Sequence, residues 1–173
     1  MVVRSVVRRR GLKELGASRV TLRAAGAPVP VGATVQIPSD KSIGVEVTIE
    51  NTGSSSVTDV FWFYAFFAET LSAESGDPET DYTTWLYYES DDWDYGVTAT
   101  TTLNPGDTLT IEGWSPVSAG LWNVGTFVDA GIVIGMGSGS DVVFLDSLKI
   151  TDAVEIVSPL PSIEIVDVTF SVV

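Results

Sequence analysis

The chain has 173 residues, 45% of them hydrophobic, and contains neither cysteine nor histidine. That length buries a full core without disulfide or metal staples, and the missing residue types exclude Ser-His and Cys-His nucleophile systems and His-ligated zinc. The formal net charge of −14 is unevenly spread: seven of the nine cations lie within the first 23 residues, whereas the rest of the chain sets Lys41 and Lys149 against 22 carboxylates.

The basic stretch comes first. Arg4, Arg8, Arg9, Arg10, Lys13, Arg19 and Arg23 are opposed there only by Glu14. Residues 1–27 read as an assembly arm, with a helix expected over Val3 to Leu15 that places Val3, Val7 and Leu15 on one face and Gly16 at its stop. The string Arg8-Arg9-Arg10-Gly11-Leu12-Lys13 has the twin-arginine look of an export signal, but no uninterrupted apolar run follows it, so a retained arm is expected. Valines interleaved with the arginines favour packing on protein. The acidic face of a neighbouring subunit is therefore the first expectation for its target, and nucleic-acid phosphate the second.

From residue 28 onward the periodicity is that of strands. Val45, Val47 and Ile49 alternate with Glu46, Thr48 and Glu50, and Leu109 and Ile111 alternate with threonines and Glu112. Further strands are predicted over Val29–Ile37, Val57–Ala68, Tyr82–Tyr88, Val97–Leu103, Leu121–Val128 and Asp141–Ile150. Turn signals separate them at Asn51-Thr52-Gly53-Ser54, Asn104-Pro105-Gly106-Asp107, Gly137-Ser138-Gly139-Ser140 and Pro159-Leu160-Pro161. Short strands spaced this way indicate an all-β, antiparallel, immunoglobulin-like sandwich over 28–173, with extra C-terminal strands in 138–173. In the last segment Ile163 and Ile165 share one parity, and Val166, Val168, Phe170 and Val172 the other. A bulge is predicted near Ile165-Val166, and the strand is expected to close its own sheet rather than a neighbour's. No segment reaches the ~20 apolar residues of a membrane helix.

The candidate site is the stretch from Thr70 to Gly96, where Glu74, Asp77, Glu79, Asp81, Glu89, Asp91, Asp92 and Asp94 interleave with Tyr82, Trp85, Tyr87, Tyr88, Trp93 and Tyr95. Calcium on Asp91, Asp92 and Asp94 is the one cofactor the residues suggest; EF-hand spacing is absent, and a solvated acidic loop is the favoured reading. Packing is expected of Trp85, and contact with a partner or a sugar of Trp93, Tyr95 and Tyr88. A carboxylate pair for glycoside hydrolysis among Glu74, Glu79 and Glu89 is disfavoured, because a small sandwich rarely forms a deep cleft. Ser115 and Ser118 have no histidine to activate them. Gly135-Met136-Gly137-Ser138-Gly139 lacks a phosphate-loop lysine and reads as a turn.

One stretch resembles a known family. Gly44-Val45-Glu46-Val47-Thr48-Ile49-Glu50-Asn51-Thr52-Gly53-Ser54, then Leu103-Asn104-Pro105-Gly106-Asp107, Ala119-Gly120-Leu121-Trp122-Asn123-Val124 and Val128-Asp129 are similar to the turn and strand motifs of the CARDB-type (cell-adhesion-related) immunoglobulin-like module. The similarity spans about residues 30 to 135. The resemblance implies surface display, adhesion or assembly rather than chemistry. Together these readings lead us to expect no enzymatic activity and a structural subunit of a virion (capsid, decoration or tail) that contacts itself or other structural proteins as a homo-oligomer. The alternative is an extracellular or cell-surface adhesion or filament module binding glycan or protein.

Overall fold

In a computed structural model of the chain, residues 34–72 and 78–159 are described in full and residues 15–24 and 27–29 as backbone. The strands are β1 (Leu15–Ala24), β2 (Ala27–Val29), β3 (Val35–Pro38), β4 (Ser42–Asn51), β5 (Val57–Asp59), β6 (Phe61–Ala68), β7 (Asp92–Val97), β8 (Thr101–Leu103), β9 (Thr108–Glu112), β10 (Val117–Ser118), β11 (Phe127–Met136) and β12 (Val143–Val157). One helix, α1 (Pro78–Thr84), runs into a π-turn over Trp85–Glu89.

The expected all-β, antiparallel sandwich is what forms. One sheet runs β10-β4-β1-β2, with β9 also on β4, and the other runs β3-β12-β11-β6-β7; β5 and β8 make a small separate ladder. Of the described ladders, that between β3 and β12 is parallel and the rest are antiparallel. Val45, Val47 and Ile49 of β4 face Phe61, Phe63, Ala65 and Phe67 of β6 and Ala130, Ile132 and Ile134 of β11 across the core. The apolar–polar alternation of β4 sets Val45, Val47 and Ile49 in the core, while Thr48 and Glu50 on its other side are half-buried and Glu46 is buried. β6 does not alternate, because Trp62, Phe66 and Ala68 on its other face are buried too, in a second cluster with Leu71, Trp85 and Val133 against α1 and the π-turn, which stand in the segment inserted between β6 and β7.

Several expectations require correction. Tyr82–Tyr88 is helix and π-turn rather than strand. Pro78 occupies the first helical position and Glu79 and Asp81 sit in the first turn, which favours a helix start. Asp81 and Trp85, four residues apart, are both buried, so the period that wins is helical. Of Leu121–Val128, Leu121 ends a 3-10 turn and residues 122–126 are loop, while Phe127 and Val128 open β11. Arg19 and Arg23, expected in an arm over 1–27, belong to β1, which pairs with β4 from Leu15↔Asn51 to Ala24↔Ile43. Of the extra C-terminal strands expected in 138–173, β12 (Val143–Val157) forms and lies between β11 and β3. Arg4, Arg8, Arg9, Arg10 and Lys13, most of the expected N-terminal helix, Glu74 and Asp77, and the bulge near Ile165-Val166 lie outside the described residues. Among the described residues no helix is long and apolar enough to cross a membrane.

The turn motifs do structural work. Asn51 is buried; its Nδ2 donates to the Ser55 and Leu103 carbonyls at 2.9 Å each, and its Oδ1 accepts from Gly53 N at 3.0 Å. Gly106, at φ +84°, donates its N–H to the Asn51 carbonyl at 2.7 Å, which locks the two turns together.

Candidate functional site

The outer face of the second sheet carries aromatic rings from three successive pieces of chain. β6 contributes Trp62, Tyr64 and Phe66, β7 contributes Trp93 and Tyr95, and the insertion lays Tyr82 and Trp85 over them. The register Tyr64↔Tyr95 and Phe66↔Trp93 sets these side chains opposite one another. Tyr64 is the hub, with ring centroids 4.6 Å from Tyr95, 5.3 Å from Trp93 and 5.3 Å from Tyr82. Trp114, in the turn that follows β9, meets Tyr95 edge-on at 5.6 Å, and its backbone N–H donates to the Tyr95 carbonyl at 2.9 Å. The shelf therefore crosses from one sheet to the other.

The rings differ sharply in exposure. Trp85 is fully buried, as expected, and lies flat on Gly131, where a Cβ would come within 2.8 Å of its ring. Trp93 is 42% exposed and Trp114 65% exposed, with Tyr64, Tyr82 and Tyr95 half-buried between or beside them. Tyr88 is 82% exposed, but its ring partner is Tyr87 rather than any ring of the shelf. Trp93 and Tyr95 thus come together while Tyr88 stands apart. Sequence reasoning missed Tyr64 and Trp114. Tyr64 was hidden in the apolar run of β6, although its hydroxyl sets it apart from the phenylalanines around it; Trp114 lies in a Gly-Trp-Ser-Pro turn, an exposed place for so large a ring.

Burial pushes the Tyr82 phenol well above the usual tyrosine range, and its hydrogen bond and proximity to Tyr64 push it further. Burial raises Tyr64 as well, against a smaller opposing effect of the bond to Tyr82, and burial followed by proximity to Tyr64 raises Tyr95. The shelf accordingly presents neutral phenols at physiological pH.

The acidic residues beside the shelf are engaged individually. Asp91 Oδ2 accepts from the Trp122 indole at 3.0 Å, Asp92 Oδ1 from Trp93 N at 2.8 Å, and Asp94 Oδ1 from Tyr95 N at 2.7 Å and Ser115 N at 2.8 Å. Among the described residues no group of three or more carboxylates is placed to hold a metal ion. Glu89 accepts from Ser72 N at 2.6 Å, and Asp81 accepts from the Ser147 hydroxyl at 2.9 Å. These bonds tie the insertion to its neighbours.

Asp92 and Asp94 have a second effect. Each carboxylate occupies the N–H of the residue that follows it on β7, the terminal strand of its sheet. Asp146 does the same for Ser147 N on β12 at 2.9 Å. Amides capped in this way are poor templates for strand addition, so contact through β7 falls to its side chains rather than its backbone.

At the foot of the insertion, Asp129 is buried and joins three segments. Its Oδ1 accepts from Asp152 N at 2.9 Å, its Oδ2 accepts from Leu71 N at 3.0 Å, and Lys149 Nζ lies 3.3 Å from Oδ2. Lys149 also donates to the Leu71 carbonyl.

No family model matches the chain, and no curated protein matches it in sequence. Among solved structures, the C-terminal domain of wzt is similar at a TM-score of 0.51 and 10% identity, covering 92% of this chain and 84% of that one. Two structures of β-glucosidase from Listeria innocua, a mutant with laminaribiose and an enzyme with isofagomine, are similar at TM-scores of 0.30 and 0.29 and identities of 15% and 14%. They cover 84% and 81% of this chain but 16% of each of those. At such identities, the likeness to the wzt domain concerns the fold alone.

Proposed function

We propose that this chain is a non-enzymatic structural subunit that assembles with copies of itself or with other structural proteins, in a virion shell, decoration or tail. The observation that carries the reading is the aromatic shelf: Trp93 and Trp114 stand open beside Asp92 and Asp94, each of which has one carboxylate oxygen bonded to backbone N–H. Tryptophan and tyrosine dominate the energetics of protein contacts, and exposed rings in one continuous group mark a contact surface. The basic N-terminal segment supplies a charge complement to the acidic remainder. Its role is tested by sedimentation of the full chain and of a variant with Arg8, Arg9 and Arg10 changed to serine. The wild type self-associates and the variant does so more weakly; equal association of the two removes the segment from the account. The virion setting is tested by finding the chain in purified particles.

The alternative, a cell-surface adhesion or filament module, is favoured by the same exposed rings, on which glycan could stack. Glycan-array binding that disappears in Trp93→Ser and Trp114→Ser, in a chain that stays monomeric, selects that reading.

A further inference from the structure

We propose that the aromatic shelf is the receptor for the arginine-rich segment, residues 1–13, of a second copy of the chain. This rests on the assembly reading above and names the partner of its site. The segment from Met1 to Lys13 carries Arg4, Arg8, Arg9, Arg10 and Lys13 and no carboxylate. The shelf is a surface that a guanidinium recognises. Arginine stacks on the faces of tryptophan and tyrosine, and more readily than lysine.

Three observations favour that occupant over an anionic or purely apolar one. The two lysines that follow residue 23 are both engaged in ion pairs, Lys41 with Asp40 at 3.3 Å and Lys149 with Asp129 at 3.3 Å, and neither is among the shelf residues. Residues 15–173, which include Arg19 and Arg23 of β1, hold 22 carboxylates against four cations, and Asp92 adjoins Trp93 on β7, so the field of the folded chain draws cations. Finally, Trp93, Tyr64, Tyr95 and Trp114 follow one another at centroid spacings of 5.3, 4.6 and 5.6 Å. Trp93 and Tyr95 are same-side residues of β7, about 6.6 Å apart along the strand, the repeat that also separates Arg8 from Arg10 in an extended segment. The valines between the arginines fill the remaining apolar area.

The capped amides of β7 define how the segment binds. Because Asp92 and Asp94 occupy the N–H groups of Trp93 and Tyr95, the segment lies across the rings through its side chains and does not add a strand. Binding of this kind weakens with salt through its Coulombic part but keeps the stacking part.

The experiment is sedimentation velocity on the full chain over a range of concentrations, at low and at high salt. It compares the wild type with Trp93→Ser/Trp114→Ser, with Trp114→Ser alone as the less intrusive change, and with Arg8, Arg9 and Arg10 changed together to serine or to lysine. Circular dichroism and melting confirm that each variant is folded. Each exposed ring contact is worth up to about tenfold in affinity, so the double shelf variant weakens self-association by about 10- to 100-fold. The serine arm variant weakens it at least as much, and the lysine arm variant falls between it and wild type because charge remains while stacking is lost. If the serine arm variant associates like wild type, the assembly reading through the segment fails as a whole. If that variant dissociates while both shelf variants associate like wild type, the reading stands and the shelf as receptor is overturned. A wild type that is monomeric at every concentration and binds nucleic acid through the same arginines overturns both.

Discussion

Replacing Asp129 with alanine is the most demanding test of the fold that carries the shelf. Asp129 is buried on β11 and accepts hydrogen bonds from Leu71 N, where the insertion leaves β6, and from Asp152 N, at the bulge of β12, while pairing with Lys149. The pair is well shielded, with side-chain exposures of 18% for Lys149 and 5% for Asp129. Hydrogen bonds to a charged group contribute about 1.5–3 kcal/mol each, and removing one partner of a buried ion pair costs about 3–5 kcal/mol. Because all three contacts pass through one carboxylate they do not add, and the expected loss is about 3–5 kcal/mol in total. For a chain of this length that lowers the melting temperature by about 6–20 °C. Lys149→Met should cost less, about 1–2 kcal/mol, since Asp129 keeps both amide donors. The double variant should then cost at least about 1 kcal/mol less than the two single losses together, because neither charge is left alone. Urea denaturation followed by circular dichroism measures all three. A loss under about 0.5 kcal/mol for Asp129→Ala, in the range of an ordinary surface change, would refute the reasoning, as would strict additivity in the double variant.

Further outcomes follow from single contacts. Gly131→Ala forces a methyl against the Trp85 ring and should destabilise by about 1–3 kcal/mol; Trp85→Leu in the same chain should recover part of that, visible as non-additive urea midpoints. Asp152 has φ 49°, a left-handed conformation that costs a non-glycine residue roughly 1 kcal/mol. Asp152→Gly should therefore leave stability unchanged or raise it, and Asp152→Val should lower it, by thermal melting. The raised phenols of Tyr64, Tyr82 and Tyr95 favour the folded state up to the ordinary tyrosine value near 10, and that contribution is lost as pH rises through their folded values. Wild type should lose more stability between pH 8 and pH 11 than Tyr82→Phe, and parallel curves for the two would contradict the placement of Tyr82.

The sandwich was legible because its inner strands obey simple periods. Val45, Val47 and Ile49 alternate with polar Glu46, Thr48 and Glu50, and the turns at Asn51-Gly53 and Asn104-Asp107 carry the residues whose side chains and positive φ close them. The insertion was not legible. Tyr82 to Tyr88 contains rings at both parities and so mimics a strand, whereas Pro78 and the acids after it were the local signals for a helix. β1 was obscured by its arginines, which suggested a solvated arm although Val20 and Leu22 lie in register with Val47 and Val45. Residues 127–136 also went unassigned beyond Val128, because Gly131 and Gly135 resemble turn residues; their lack of a side chain is what admits Trp85 and Trp62 onto the sheet. As for the site, exposure of Trp93 could be expected from its acidic neighbours. The convergence of Tyr64 and Trp114 on Tyr95 depends on strand register and on a turn from the opposite sheet, which no local pattern encodes.

The central claim is that one copy's arginine-rich segment engages another copy's aromatic shelf, and complementation tests it most directly. A chain with Arg8, Arg9 and Arg10 changed to serine keeps only the receptor, and a chain with Trp93→Ser/Trp114→Ser keeps only the donor. The account predicts that in native mass spectrometry each is monomeric alone and that the mixture forms a one-to-one complex that dissociates as salt is raised. A mixture that stays monomeric, at concentrations where the wild type assembles, would contradict it.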